Sequence, residues 1–202
     1  MVTDPSPTAP QQLRADAARN REIVLAAATR AFATSDTEPS IRAIARQAGV
    51  GVATVYRHFP TREALVDAVY RDQVVRLTGG ADELLAAHRP AQALRLWMDL
   101  FGDWLATKHG MTDTLLAMID AGEISLAHTR RDLLSAITTI LDAGAAAGDI
   151  RADARAEDVS AGILGMLAVA AKSGEPAQAQ RLLDLLMDAL RPQRGAADGL
   201  SR

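Results

Sequence analysis

Between Pro39 and Arg62 the chain carries four arginines, Arg42, Arg46, Arg57 and Arg62, and no acid. The net charge of the 202 residues is −3, and residues 73–202 alone hold 13 basic and 17 acidic residues, a net of −4. Positive charge is therefore gathered in one short window, where it can meet an anionic partner such as phosphate even though the whole chain is acidic. Chance clustering on a solvated face is the plainer alternative for charge taken alone. Other chemistries find less material. There is no cysteine, so disulfides, thiolate metal sites and a cysteine nucleophile are excluded. No Ser/His/Asp arrangement, phosphate-cradling glycine loop or His-x-x-x-His pair is present, and the 25 acids are dispersed.

The elements that must position this window read as helices throughout. Alanine is abundant, Val, Ile and Thr never alternate in runs, and apolar residues recur at helical spacing, so the fold class is all-α. A first helix is expected from about Arg14 to Ala33, with Val24, Ala27, Ala28, Ala31 and Phe32 on one buried stripe. Ser40 can cap a second helix whose inward face is Ile41, Ile44, Ala45 and Ala48, and Gly49 interrupts it. A short third helix covers about Val52 to His58, with Val55 and Phe59 inward, and Pro60 stops it. Thr61 caps a fourth, expected to bury Leu65, Val69 and Leu77 and to end near Gly79-Gly80.

The spacing within Ser40–Phe59 is that of a helix-turn-helix. Ala45 is small where two helices cross, Gly49 supplies the positive φ of a tight turn, and Val55 anchors the second helix to the first. The outer face then holds Val52, Ala53, Tyr56 and Arg57, a surface that a major groove can admit.

Residues from about Arg21 to Tyr70 resemble the DNA-binding domain of the TetR family of transcriptional regulators. The resemblance rests on the Ala-rich helix ending in Phe32, Ile44-Ala45 followed by Ala48-Gly49-Val50, Thr54-Val55-Tyr56 leading to His58-Phe59, and Arg62-Glu63 with Leu65. It implies that Val52, Ala53 and Tyr56 face base edges and that Arg42 reaches a base. It also implies that Ser40, Thr54, Tyr56, Arg57, His58 and Arg62 contact phosphate or backbone, since hydroxyls, helix-start amides and arginine forks suit phosphate oxygens. Two positions depart from the family pattern: Gly51 stands where serine is common, and the turn Ser35-Asp36-Thr37 lacks the usual glycine.

Beyond about Gln73 further helices are expected: Pro90 to about Lys108, Arg130 to Ala147 ending at Gly148, Ala156 to Lys172, and Pro176 to Leu190, with short apolar segments around Leu115 to Ala121. The expected division is a tail over residues 1–13, a helix-turn-helix domain over 14–72, a ligand-binding and dimerisation body over 73–191, and a tail over 192–202. Arg181 to Pro192 looks like the final helix of many family members, which implies a homodimer built from the last two helices. Gly162 and Gly165, with Leu182, Leu183, Leu186 and Leu190, would form that interface, although packing within the chain accounts for some of them. Trp97, Phe101 and Trp104 form an aromatic stripe that is either core or, as the resemblance implies, lining of a small-molecule pocket with His109, Met118 and Met166. Taken together, the expected protein binds a palindromic double-stranded operator as a dimer and is released by an unknown apolar or amphipathic ligand. A dimeric DNA-binding protein without a ligand is the alternative, and an all-α enzyme a more distant one. No cofactor is implied. The N-terminus lacks the basic start and apolar run of a signal peptide, and the longest nearly apolar stretch, Gly162 to Ala171, is about half a bilayer span. A cytoplasmic protein with no membrane partner is expected.

Overall fold

The structure, a computed structural model, describes residues 9–35, 37–173 and 175–192. Nine helices and no strand occur among the described residues: α1 (Ala9–Thr34), α2 (Ile41–Ala48), α3 (Val52–His58), α4 (Arg62–Ala87), α5 (Pro90–His109), α6 (Thr112–Asp120), α7 (Leu126–Ala147), α8 (Ala156–Ser173) and α9 (Pro176–Ala189). The fold is all-α, as expected. No helix among the described residues is long and apolar enough to cross a membrane. Most of the two expected tails, with Asp36 of the first turn, lies outside the described residues.

Several boundaries differ from the sequence reading, each for a local reason. α1 takes in residues 9–13 as well, because Pro10 falls in its first turn, where a proline sacrifices no helical hydrogen bond. α4 does not end near Gly79-Gly80 but runs on to Ala87. Gly80 is buried where a Cβ would stand 3.2 Å from Leu100 of α5, so this glycine serves close helix packing rather than termination. The segment around Leu115 is a complete helix, α6. α7 begins at Leu126 rather than Arg130 because Ser125 caps it, its hydroxyl accepting from the His128 amide at 3.3 Å.

The chain forms two compact units. The first comprises residues 1–72 and 104–124, the second residues 73–103 and 125–202. In the first, α2 packs on α1 and α3, and α3 on α1. The expected stripe of α1 is its core: Val24, Ala27, Ala28, Ala31 and Phe32 are all buried, as are Leu65, Val66 and Val69 of α4 and Met111, Leu115 and Met118. The turn from α5 to α6 is held against α1 by a close backbone approach. A Cβ on Gly110 would stand 1.8 Å from the Phe32 carbonyl oxygen, so only glycine fits.

In the second unit α7 packs on α8 and α8 on α9. Trp97 is fully buried and donates its indole N–H to the Leu77 carbonyl at 2.8 Å, which removes the penalty of a buried unpaired donor. Gly148 ends α7 in the left-handed conformation, φ 70°. The backbone of Arg151 donates to the Leu190 carbonyl at 2.9 Å, fastening the end of α9 to that turn.

The two glycine environments predict opposite responses to the same substitution. Gly110→Ala must displace backbone and should cost about 1–3 kcal/mol, the usual range for overpacking. Gly79→Ala, in a helix interior with nothing within 4 Å of the added Cβ, should instead add about 0.5–1 kcal/mol. Urea unfolding of the two variants beside the parent checks both signs.

Candidate nucleic-acid interface

The pair α2–α3 is built by local rules that its sequence states openly. Ser40 adopts an extended conformation before α2, and its hydroxyl accepts from the Ala43 amide at 3.2 Å. Gly49 follows the helix with φ 69°, a left-handed residue that a side chain would disfavour. Its N–H donates to Arg46 at 3.2 Å and that of Val50 to Ala45 at 3.0 Å, a double closure that satisfies the last carbonyls. Gly51 precedes α3 and gives it no side-chain cap, and Phe59 follows it, its N–H donating to the Val55 carbonyl at 2.8 Å. Ile44, Ala45, Val55 and Phe59 are all buried, so the inner side of the pair is fully committed.

What remains outside is the row expected from sequence. Val52, Ala53, Tyr56 and Arg57 are exposed, Tyr56 to 47 %, and they lie at i, i+1, i+4 and i+5 on one face of α3. Ser40 and Arg42 at the start of α2 are exposed as well, while Thr54 and His58 are half-buried on the flanks of α3. Short apolar side chains, a phenol and a guanidinium can touch base edges, methyl groups and phosphates in a groove. Two of this unit's other cations bear on the pair. Arg46 is exposed in the last turn of α2, and Arg21 of α1 stands over the Phe59 ring at 5.1 Å. The acid-free window already contained Arg46. Nothing local distinguishes Arg21, because its ring partner is far away in sequence.

Arg62 does not join the outward row. Its Nη2 donates to Glu38 Oε2 at 2.7 Å, its Nε to the same oxygen at 3.1 Å and to Thr114 Oγ1 at 3.2 Å, and its Nη1 to the Pro39 carbonyl at 2.8 Å. It also lies 6.0 Å from the Phe32 ring centroid. A guanidinium held by this many internal partners is committed within the unit and stands apart from the exposed row of α3. Glu38 also accepts from the Thr114 backbone amide and hydroxyl, each at 2.9 Å. Burial pushes the Glu38 carboxyl up, but these hydrogen bonds and the Arg62 charge outweigh it and hold it below the ordinary glutamate value.

The other expected site residues separate by unit. Trp97 and Phe101 are buried in the second unit, ring centroids 5.4 Å apart, and Met166 is half-buried there. Trp104 and Met118 are buried in the first unit, Trp104 6.5 Å from the Tyr70 ring and beneath the Lys108 ammonium at 5.2 Å. His109 is exposed at the end of α5. On the last two helices, Leu183 and Leu190 are 1 % and 6 % exposed and belong to the core of the second unit. A Cβ on Gly162 would meet Leu186 at 3.6 Å, so those two positions face each other within the chain, whereas Gly165 opens onto empty space. Leu182 and Leu186 are half-buried. The large apolar side chains most open on this pair are Leu164 at 39 %, Val169 at 58 % and Leu185 at 61 %.

Comparison with known proteins agrees with this architecture. Residues 24–69 match the family model of bacterial regulatory proteins of the tetR family, and residues 89–192 match that of the C-terminal domain of SbtR-like transcriptional regulators. No curated protein matches the chain. Among solved structures, a TetR transcriptional regulator from Streptomyces coelicolor is 44 % identical, covers 86 % of this chain and 99 % of its own, and superposes with a TM-score of 0.75. A TetR transcription regulatory protein from Mycobacterium vanbaalenii is 35 % identical, with coverages of 89 % and 99 % and a TM-score of 0.68. A TetR-family regulator from Agrobacterium tumefaciens, at 18 % identity and a TM-score of 0.61 over 87 % and 99 %, shares the fold. With its helix-turn-helix and its C-terminal half each matched, and close relatives matched along nearly their whole length, the chain belongs to the TetR family of DNA-binding transcriptional regulators.

Proposed function

We propose that the protein is a repressor that binds a palindromic operator as a homodimer and leaves it when a small apolar or amphipathic ligand occupies the body. In this reading residues 14–72 form the head and 73–191 the body. The observation that carries it is the outer face of α3. Val52, Ala53, Tyr56 and Arg57 stand exposed on a helix whose inner side is locked by Val55, inside the acid-free window. On DNA, Val52 and Ala53 would read thymine methyls or groove shape, Tyr56 a base edge or phosphate, and Arg57 a phosphate. Ser40, Arg42, Thr54 and His58 would complete the contacts from the flanks.

Apolar surface left over by intrachain packing supports the dimer in this reading. Leu164, Gly165, Ala168 and Val169 of α8 share one exposed face, and Leu185 and Ala189 of α9 are exposed beside the half-buried Leu182. Surface of this kind calls for a partner, and a second copy brings two heads to two half-sites. Ligand release requires a compound that prefers a body shape with the wrong head spacing. The reading without a ligand draws its support from Trp97 and Phe101, whose rings pack on each other and whose indole N–H is already committed.

A duplex selected from a random-sequence pool by the wild-type protein provides the test, with footprinting for two-fold symmetry and a screen of small apolar compounds for loss of binding. Tyr56→Ala should cost about 1–3 kcal/mol of affinity for that duplex without loss of helicity. Wild-type affinity in a folded Tyr56→Ala protein would refute the placement of α3.

The two arginines should behave differently. Arg57→Ala is expected to weaken specific and nonspecific DNA alike and to reduce the salt slope by about one. Arg62→Ala should lower the melting temperature while leaving that slope intact. Titrations at several salt concentrations separate the two cases.

For the dimer, Leu164→Glu with Leu185→Glu should give a monomer of unchanged helicity in sedimentation. That monomer should bind the selected duplex far more weakly, since the paired heads lose their effective-concentration advantage. A folded variant that stays dimeric would move the interface elsewhere.

A further inference from the structure

α6 has no cap of its own. Its N-cap position is Met111, fully buried and without an acceptor. The amide of Thr114, which such a cap would ordinarily satisfy, is bonded instead by Oε1 of Glu38, 76 residues earlier in the chain. The second oxygen of the same carboxylate accepts from the Thr114 hydroxyl and from Nε and Nη2 of Arg62. Arg62 in turn donates to the carbonyl of Pro39, the residue before the Ser40 cap of α2. One side chain thus ties the first turn of α6 to the residues that set the first turn of α2. Gly110 adds a second fastening, since it admits the start of α6 against the Phe32 backbone.

α6 is also bracketed by backbone connections to the second unit, one at Asp103–Trp104 within α5 and one at Ile124–Ser125. A helix tied through Glu38 and Arg62 to the residues that precede α2 is placed to act on the α2–α3 pair.

We propose that Glu38 is the positioning residue that couples α6 to the α2–α3 pair, so that docking of α6 and orientation of α3 share one equilibrium. The inference rests on the reading of α3 as the helix that meets DNA. Coupling of this kind is reciprocal: whatever frees α6 loosens α3, and DNA that holds α3 must hold α6. A carboxylate that only stabilised the unit would slow unfolding everywhere and transmit nothing.

Hydrogen exchange read by mass spectrometry on the full chain separates the two. The wild type, Glu38→Ala and Glu38→Gln are compared free and with the duplex selected from a random pool. In the wild type, DNA should slow exchange at residues 41–58 and, at least about fivefold, at residues 112–120. Glu38→Ala should keep the slowing at 41–58 and lose it at 112–120. Glu38→Gln retains an acceptor for the Thr114 amide but no charge for Arg62, and should fall between; if Glu38→Ala does not fold, Glu38→Gln carries the comparison. Undiminished slowing at 112–120 in the variant overturns the proposal, as does a wild type protected at 41–58 alone. If no duplex protects 41–58 in the wild type, the DNA reading fails, and the free proteins then decide the coupling. Glu38→Gln must speed exchange at the first turns of α2 and α6 together, and acceleration at one alone overturns it.

Discussion

A carboxylate removed from water must find donors or give up its charge, and Glu38, with its side chain 18 % exposed, finds four. They come from Arg62 at the start of α4 and Thr114 at the start of α6, so meeting the needs of one side chain draws three segments of distant sequence into register. The rest of the first unit is arranged around that convergence. The Arg62 guanidinium lies against the Phe32 ring, the Phe32 backbone receives Gly110, and Ser40 begins α2 two residues beyond Glu38. The crossed helices α2 and α3 stand on this frame. Their outer face can remain uncommitted because the inner face and the frame supply the stability.

That outer face is chemically spare. Two of its side chains, Val52 and Ala53, carry no hydrogen-bonding group, so discrimination through them is limited to methyl contact and shape. In the dimeric reading proposed above, specificity leans on the spacing of two heads, and hence on whatever fixes the pairing of two chains. The exposed leucines and small residues of α8 and α9 are the surface available for that purpose. Helix pairs with glycine and alanine among their leucines can approach closely, and close approach makes spacing rigid.

Much of this was legible in the sequence where the determinant is local. Ser40, Gly49 and Gly148 act through their own backbone neighbours, and the helix ends they mark are where reading them would place them. The stripe from Val24 to Phe32 is equally visible, because helical period alone defines it. The misread positions depend on partners that no window reveals. Gly79-Gly80 resembles a terminus until Leu100 is seen against Gly80. Arg62 looks like one more cation of a basic window until Glu38 and Thr114 are seen around it. Leu183 and Leu190 have the same composition as Leu185, and only the packing of α9 on α8 decides which face inward. The exposure of the outward row was therefore readable in sequence, and the network beneath it was not.

The first unit is discontinuous in sequence, and this bears on how the protein is made. A nascent chain that has reached Asp72 has synthesised α1, α2, α3 and the start of α4, yet Phe32, Glu38 and Arg62 still lack the partners supplied by Gly110 and Thr114. The DNA-reading part is thus left unfinished on the ribosome until Ile124 has been added, by which time residues 73–103 of the second unit have also been synthesised. For the same reason, exchanging heads between relatives at the α4 junction would transplant a frame without its closing piece. A chimera that carried residues 104–124 along with residues 1–72 would transfer the unit whole.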